Sequence, residues 1–288
     1  MALLRGLRPL GPPRRWAHNG PSYETLEVQR LCGADAGVVV LGLRRPEARN
    51  ALSRRLVAEL GDAVGRVGRD SGARVVVLRS LVPGVFCAGA DLKERLGMSE
   101  EETRQFVPTL RRLAGSIEGL APPVIAAMDG AALGGGLEFA LACDLRVCSA
   151  DARLGLVETR LGIFPGAGGT QRLPRLVGPA LAKELIFTAR VFDGREAWRM
   201  GLVNHAVEQS AGGDAAYERA LELAREILPN GPAGVRLAKF AVDKGLGADP
   251  GTGGALEEAC YAQLLNTRDR LEGLRAFREK RAPVYTGE

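Results

Sequence analysis

PPVIAAMDGAALGGGLEFALACDLRVC, residues 122–148, is the stretch whose reading decides the fold class. Its apolar run around Val124 to Met128 is short and ends on Asp129-Gly130, a turn signal, so it reads as a buried strand. Three glycines, Gly134, Gly135 and Gly136, then open a short apolar helix from Gly135, and DLRVC closes the segment as a second strand. Strand, helix and strand in such short alternation predict right-handed βαβ turns and an α/β architecture.

Working outward, the same alternation extends in both directions. Upstream, ETLEVQRL and AGVVVLGLRR read as strands joined by the turn-prone CGADAG, a hairpin. From Ser53, an N-cap, RRLVAELGDAVGRVGRD carries Leu56, Leu60, Val64 and Val67 at the spacing of an amphipathic helix. VVVL between Arg74 and Arg79 is a buried strand, and SEEETRQFVPTLRRLAGSIEGL a second helix. Beyond Phe187 the character turns helical, with GLVNHAVE the one strand-like interruption. The expected organisation is a leader over 1–22, an α/β core over 23–207 and a helical region over 208–288 that packs on the core or on a partner subunit.

Composition removes several classes of function. The chain has 288 residues, 46% hydrophobic and 25% charged, an ordinary globular make-up. No apolar run approaches the roughly 20 residues of a membrane-spanning helix. The leader holds Arg5, Arg8, Arg14 and Arg15 with no acid before Glu24, which resembles a mitochondrial transit peptide and implies a matrix location. Losing those arginines takes the formal charge from +5 to about +1, so no basic surface for nucleic acid is demanded. The five cysteines lack CxxC spacing and only His18 and His205 occur, which argues against a zinc site and against a histidine-assisted hydrolase; no metal is expected. Cys143 and Cys148, in ALACDLRVC, read as buried reduced thiols.

Three segments carry chemistry. VFCAGADLKE, residues 85–94, follows a strand with the small residues Ala88, Gly89 and Ala90, then Asp91, Leu92 and Lys93; it is either a tight strand exit or a place where a ligand approaches the backbone. ALGGGLEFALACD places Glu138 near a helix start among apolar neighbours, either compensating the helix dipole or sitting in a half-buried pocket. LGLVETRLGIFPGAGGTQRLPR holds Glu158, either a surface acid beside Arg160 or the second of a carboxylate pair. GAGGT lacks the ending of a Walker motif and the pattern of a dinucleotide fold. Two converging carboxylates beside backbone N–H groups suit the addition of water.

Together, in this order and separation, the three segments resemble the crotonase (enoyl-CoA hydratase/isomerase) superfamily from about Glu24 to the C-terminus. The resemblance implies a crotonase-like ββα spiral, a C-terminal helical oligomerisation region, homotrimers or dimers of trimers, and acyl-coenzyme A thioester substrates. It implies that the N–H groups of Ala90 and Gly135 form an oxyanion hole and that Glu138 and Glu158 are the hydratase glutamates. It further implies coenzyme A contacts around Ala48 and along Ala88, Gly89, Asp91, Leu92 and Lys93. Phe277 and Lys280 match positions that close over the nucleotide in a neighbouring subunit, although a solvated basic helix fits them equally. No cofactor is expected besides the coenzyme A carried by the substrate.

RNA is the alternative partner, because a member of the family is described as binding it through a lysine-rich helix. Here that helix is RRLVAELGDAVGRVGRD, without lysine, and Arg55, Glu59, Asp62 and Arg66 fall on one stripe. Alternating charge favours i,i+4 pairing over phosphate binding, which disfavours RNA.

Overall fold

The computed structural model describes residues 22–288; the leader read over 1–22 lies, apart from Ser22, outside the described residues. Strands β1 (Leu26–Arg30) and β2 (Val38–Leu43) form the antiparallel hairpin, with Leu26 opposite Leu43. Helix α1 (Arg54–Gly68) begins where the Ser53 side chain accepts from Leu56 N, and it buries Leu56, Val57, Leu60, Ala63, Val64 and Val67. Next come β3 (Val75–Ser80), β4 (Val85–Cys87), α2 (Leu92–Leu96) and α3 (Glu100–Glu118), the last opened by a capping box between Ser99 and Glu102.

The following turn repeats the plan: β5 (Val124–Met128), β6 (Ala131–Leu133) and α4 (Gly135–Leu141). After it come β7 (Leu145–Ser149), β8 (Leu154–Gly155), α5 (Gly169–Val177), α6 (Pro179–Phe187), α7 (Gly194–Arg199) and β9 (His205–Val207). Each turn gives one strand to each of two sheets. The larger has the order β1-β2-β3-β5-β7-β9, parallel after the hairpin, and the smaller the order β4-β6-β8, all parallel. This is the ββα spiral of the crotonase fold. The strands of the smaller sheet are two or three residues long, too short for a period to show in the sequence.

Side-chain alternation buries both faces of the larger sheet. Val39, Leu41, Val76, Leu78, Ala126 and Met128 face the main core with α1, α3 and α4. Val38, Val40, Val75, Val77, Ile125 and Val147 face α8 (Ala215–Ile227) through Ala216, Ala220, Leu221 and Ala224. The helical C-terminal region therefore divides. Helix α8 is part of the core, whereas α9 (Pro232–Gly245), α10 (Pro250–Leu264) and α11 (Arg268–Glu279) leave Phe240, Leu246, Tyr261, Leu274 and Phe277 exposed. Lys239 of α9 anchors that extension through an ion pair of 2.7 Å with Asp144.

The α1 stripe is occupied by its own neighbours. Asp62 pairs with Arg66 at 2.8 Å, Arg55 pairs with Glu24, and Glu59 accepts from Thr25 N at 2.8 Å and Thr25 Oγ1 at 2.7 Å. Cys143 and Cys148 are buried and free, and burial pushes both thiols up to about 12.

Successive turns of the spiral touch at Gly130, the corner between β5 and β6. A Cβ there would lie 2.2 Å from Gly84 C and 2.4 Å from Val85 N, both backbone atoms that cannot swing aside. Gly130→Ala is therefore expected to destabilise the fold by about 1–3 kcal/mol or more, read as a fall in Tm of several degrees in thermal unfolding.

Candidate active site

The site is built where three loops of the spiral meet. Past β4, Gly89 takes a φ of +90°, open to glycine, and a Cβ there would lie 2.8 Å from Leu133 O and 3.6 Å from Gly135 N. The loop carrying Ala90 thus runs against the triple glycine. Ala90 forms a parallel bridge with Leu52, whose hydrogen bonds are Leu52 N to Gly89 O at 2.7 Å and Asp91 N to Leu52 O at 3.4 Å. In such a bridge the N–H of Ala90 points away from Leu52; among the described residues it donates to no backbone acceptor. Gly135 opens α4, so its N–H is one of the donors a helix leaves over at its start. Two backbone donors are thereby brought to one place.

Both carboxyls are buried beside them. Glu138 is 3% exposed and Glu158, on a short helical turn after β8, is 9% exposed. A Cβ on Gly134 would lie 3.2 Å from Glu158 Oε1, and one on Gly135 would lie 4.0 Å from Glu138 Oε2. The glycines form the floor between the two acids. Glu138 lies in the first turn of α4 and is buried as well, and Glu158 is not the surface acid that its sequence context also allowed.

Their surroundings differ in one respect. Glu138 Oε1 accepts from Ala167 N at 2.8 Å and Gly169 N at 2.7 Å, while Oε2 has no hydrogen-bond partner among the described residues. Both oxygens of Glu158 are buried without a hydrogen-bond partner. Burial pushes the Glu138 carboxyl up, opposed by the two backbone donors and by the charges of Arg172 and Arg111. Glu158 is pushed up to about 7 by burial and then by the charge of Glu138, opposed by the nearness of its own backbone N–H and then by the charge of Arg95. A carboxylate that accepts two N–H donors from elsewhere in the chain ionises more readily than one without them, so Glu138 is the easier of the two acids to ionise.

The donors to Glu138 escaped the sequence reading. They come from GAGGT, where Gly168 at φ +114° turns the chain into α5, so that the loop N–H of Ala167 and the first N–H of the helix, on Gly169, both meet an internal carboxylate. Arg172 braces the loop, donating to Ala167 O at 3.0 Å and pairing with Glu118 at 2.7 Å. The signal available in sequence was the glycine pair ahead of a helix.

The other expected ligand residues are placed unevenly. Ala48 lies half-buried on a short helical turn; Ala88 and Gly89 line the loop; Leu92 and Lys93 are exposed on α2. The Asp91 carboxylate is committed within the loop, accepting from Glu94 N at 3.1 Å and pairing with Arg45 at 2.7 Å. Burial pushes it up, and those bonds hold it below the usual carboxylate range. Phe277, 86% exposed, lies on α11 and Lys280 caps its C-terminal end, and neither is brought to the two glutamates within one chain.

The family profile of enoyl-CoA hydratase/isomerase matches residues 33–288. The chain belongs to the enoyl-CoA hydratase/isomerase family. It is thus an enzyme of the enoyl-CoA hydratase type, a hydro-lyase. It is 53% identical to human mitochondrial methylglutaconyl-CoA hydratase, over 96% of this chain and 82% of that protein. It is 54% identical to human mitochondrial enoyl-CoA hydratase domain-containing protein 2, over 100% and 99% of the two chains. Among solved structures, the enoyl-CoA hydratase from Bacillus anthracis superposes with a TM-score of 0.88 at 46% identity, covering 92% of this chain and 100% of that one.

The Glu158 environment has a consequence for stability. Its folded pKa near 7 lies above the ordinary value of 4.5, so its contribution is fully present below about 4.5 and is lost as pH rises through about 7. Glu158→Gln, which never ionises, is expected to gain stability relative to the unsubstituted protein between pH 5 and pH 8, by at most about 3 kcal/mol, read as a rise in relative Tm by thermal unfolding at both pH values.

Proposed function

We propose that this chain hydrates 3-methylglutaconyl-CoA to 3-hydroxy-3-methylglutaryl-CoA in the mitochondrial matrix, as an oligomer, with Glu138 as its base and Glu158 as its acid. The observation that carries the chemistry is the buried carboxyl pair on the triple glycine, one acid held by two backbone donors and the other by none. Similarity to methylglutaconyl-CoA hydratase supports the substrate. The mitochondrial names of these relatives and the arginine-rich leader support the location.

In this reading the substrate thioester oxygen accepts from the N–H groups of Ala90 and Gly135. Ionised Glu138 orients a water through Oε2 and takes one of its protons as the water oxygen bonds to C3. The electron pair of the C2–C3 double bond moves onto the thioester oxygen, where the two donors stabilise the enolate; each is worth about 10² to 10³ in rate. Glu158 delivers its proton to C2 as the enolate collapses, and the proton on Glu138 restores Glu158 for the next cycle. General acid–base catalysis of this kind contributes about 10² to 10⁴. The steps require no cofactor beyond the coenzyme A of the substrate.

Ala48 and the backbone of residues 88–93 are proposed to hold the coenzyme A, with exposed Lys93 near phosphate. Phe277 and Lys280 are proposed to close over the nucleotide of a neighbouring subunit, a role that the exposed apolar surface of α9 to α11 supports. A second reading, a hydratase for another short-chain enoyl-CoA, is favoured by the 54% identity to the domain-containing protein. RNA binding on the same scaffold has less support, since the charges of α1 are satisfied within the protein.

Three outcomes are expected. Hydration assays should give a higher kcat/KM for 3-methylglutaconyl-CoA than for crotonyl-CoA; hydration of neither would sink the proposal, and preference for crotonyl-CoA would select the second reading. Glu138→Gln and Glu158→Gln should each lose about 10² to 10⁴ in kcat while acyl-CoA binding by calorimetry persists. In the hydration direction, the rate should fall as pH rises through about 7, where Glu158 gives up the proton it must donate.

A further inference from the structure

Three guanidinium groups act electrostatically on the two acids: Arg172 and Arg111 on Glu138, and Arg95 on Glu158. The first two are tied down. Arg172 is bonded to Ala167 O and paired with Glu118, and Arg111 donates to Gly166 O at 3.1 Å. Arg95 is not. Its Nε is buried with no hydrogen-bond partner, and among the described residues its side chain makes no ion pair. It lies on α2, five residues after Ala90, with its N–H bonded to Asp91 O at 2.9 Å, so the helix that follows the proposed oxyanion loop carries it.

A half-buried guanidinium without an anion is an expensive arrangement, since the desolvation it suffers is returned only when a counter-charge with matching geometry arrives. The other cationic side chains nearby do not share this state. Arg54 is paired with Glu94 and Glu102, Arg45 with Asp91, and Lys93 and Arg160 are exposed to solvent. The charge of Arg95 reaches Glu158, so an anion that arrives beside the two acids would give Arg95 the partner it lacks. Glu158 does not supply it as an ion pair, since both of its carboxyl oxygens are buried without a hydrogen-bond partner.

We infer that Arg95 is a specificity residue that receives a carboxylate on the far end of the acyl group, so that the site selects enoyl thioesters with an acidic tail over neutral ones. Fork geometry suits it, since a guanidinium meets a carboxylate with two parallel N–H donors. The inference rests on the hydratase reading and names the residue that would distinguish its substrate class. Coenzyme A is common to acidic and neutral substrates, so any role of Arg95 toward the nucleotide would act on both alike.

The test is the ratio of kcat/KM for 3-methylglutaconyl-CoA to that for crotonyl-CoA, in the full-length protein and in Arg95→Met, Arg95→Gln and Arg95→Lys. The ratio is expected to fall by about 100-fold in Arg95→Met and Arg95→Gln, the scale of removing one partner of a desolvated charge pair, and to recover in part in Arg95→Lys. The loss should lie mainly in KM for the acidic substrate. Thermal unfolding should be no lower than in the unsubstituted protein, because an unpaired charge is removed. An unchanged ratio, whether both substrates lose activity equally or neither does, overturns the inference while leaving the hydratase reading intact. Failure of the unsubstituted protein to hydrate either substrate would instead overturn the hydratase reading itself.

Discussion

Glu138 Oε1 accepts two backbone hydrogen bonds, from Ala167 and Gly169, across 29 and 31 residues of chain. Much of the site depends on that contact. It joins the helix after one turn of the spiral to the loop before α5, and it makes an ionised carboxylate tolerable in a place 97% removed from solvent. Without donors, burying that charge would cost several kcal/mol and the group would keep its proton. With them, ionisation of Glu138 is eased, and its negative charge then pushes the carboxyl of Glu158 up. The asymmetry on which the proposed proton transfers rely thus follows from a difference in hydrogen bonding between two residues of the same type.

The spiral supplies the remaining constraint. Because each turn gives one strand to each sheet, the loops that leave the smaller sheet stack at one end, where the exit of β4, the triple glycine after β6 and the turn after β8 become neighbours. Close approach there is possible only for residues without side chains. Gly136 packs where a Cβ would come within 2.4 Å of Cys87 O, and Gly169 where one would come within 3.0 Å of Glu138 Oε1. Small residues in the three segments are in this sense one feature: they let three backbones and two carboxyls occupy one volume.

Much of the architecture was legible in sequence. The hairpin, the Ser53 cap, the buried run at Val75 and the strand–helix–strand at 122–148 are read from period and turn residues, which report local structure directly. The smaller sheet was not legible from the residues, since Ala131–Leu133 and Leu154–Gly155 have too few residues to alternate. Nor was the division of the C-terminal helices. Helix α8 and helix α11 both look amphipathic, but only α8 meets a sheet face lined by Val38, Val40, Val75 and Val77.

By itself the sequence determined which groups are available: two glutamates, a triple glycine, a small-residue loop and a family resemblance that orders them. Tertiary structure alone decided what state those groups are in. Whether a carboxyl is charged depends on its burial and on donors brought from elsewhere in the chain, and neither is written in the few residues on either side of it. The same holds for Arg95, indistinguishable in LKER from the solvated lysine two residues before it until folding buries its Nε without a partner.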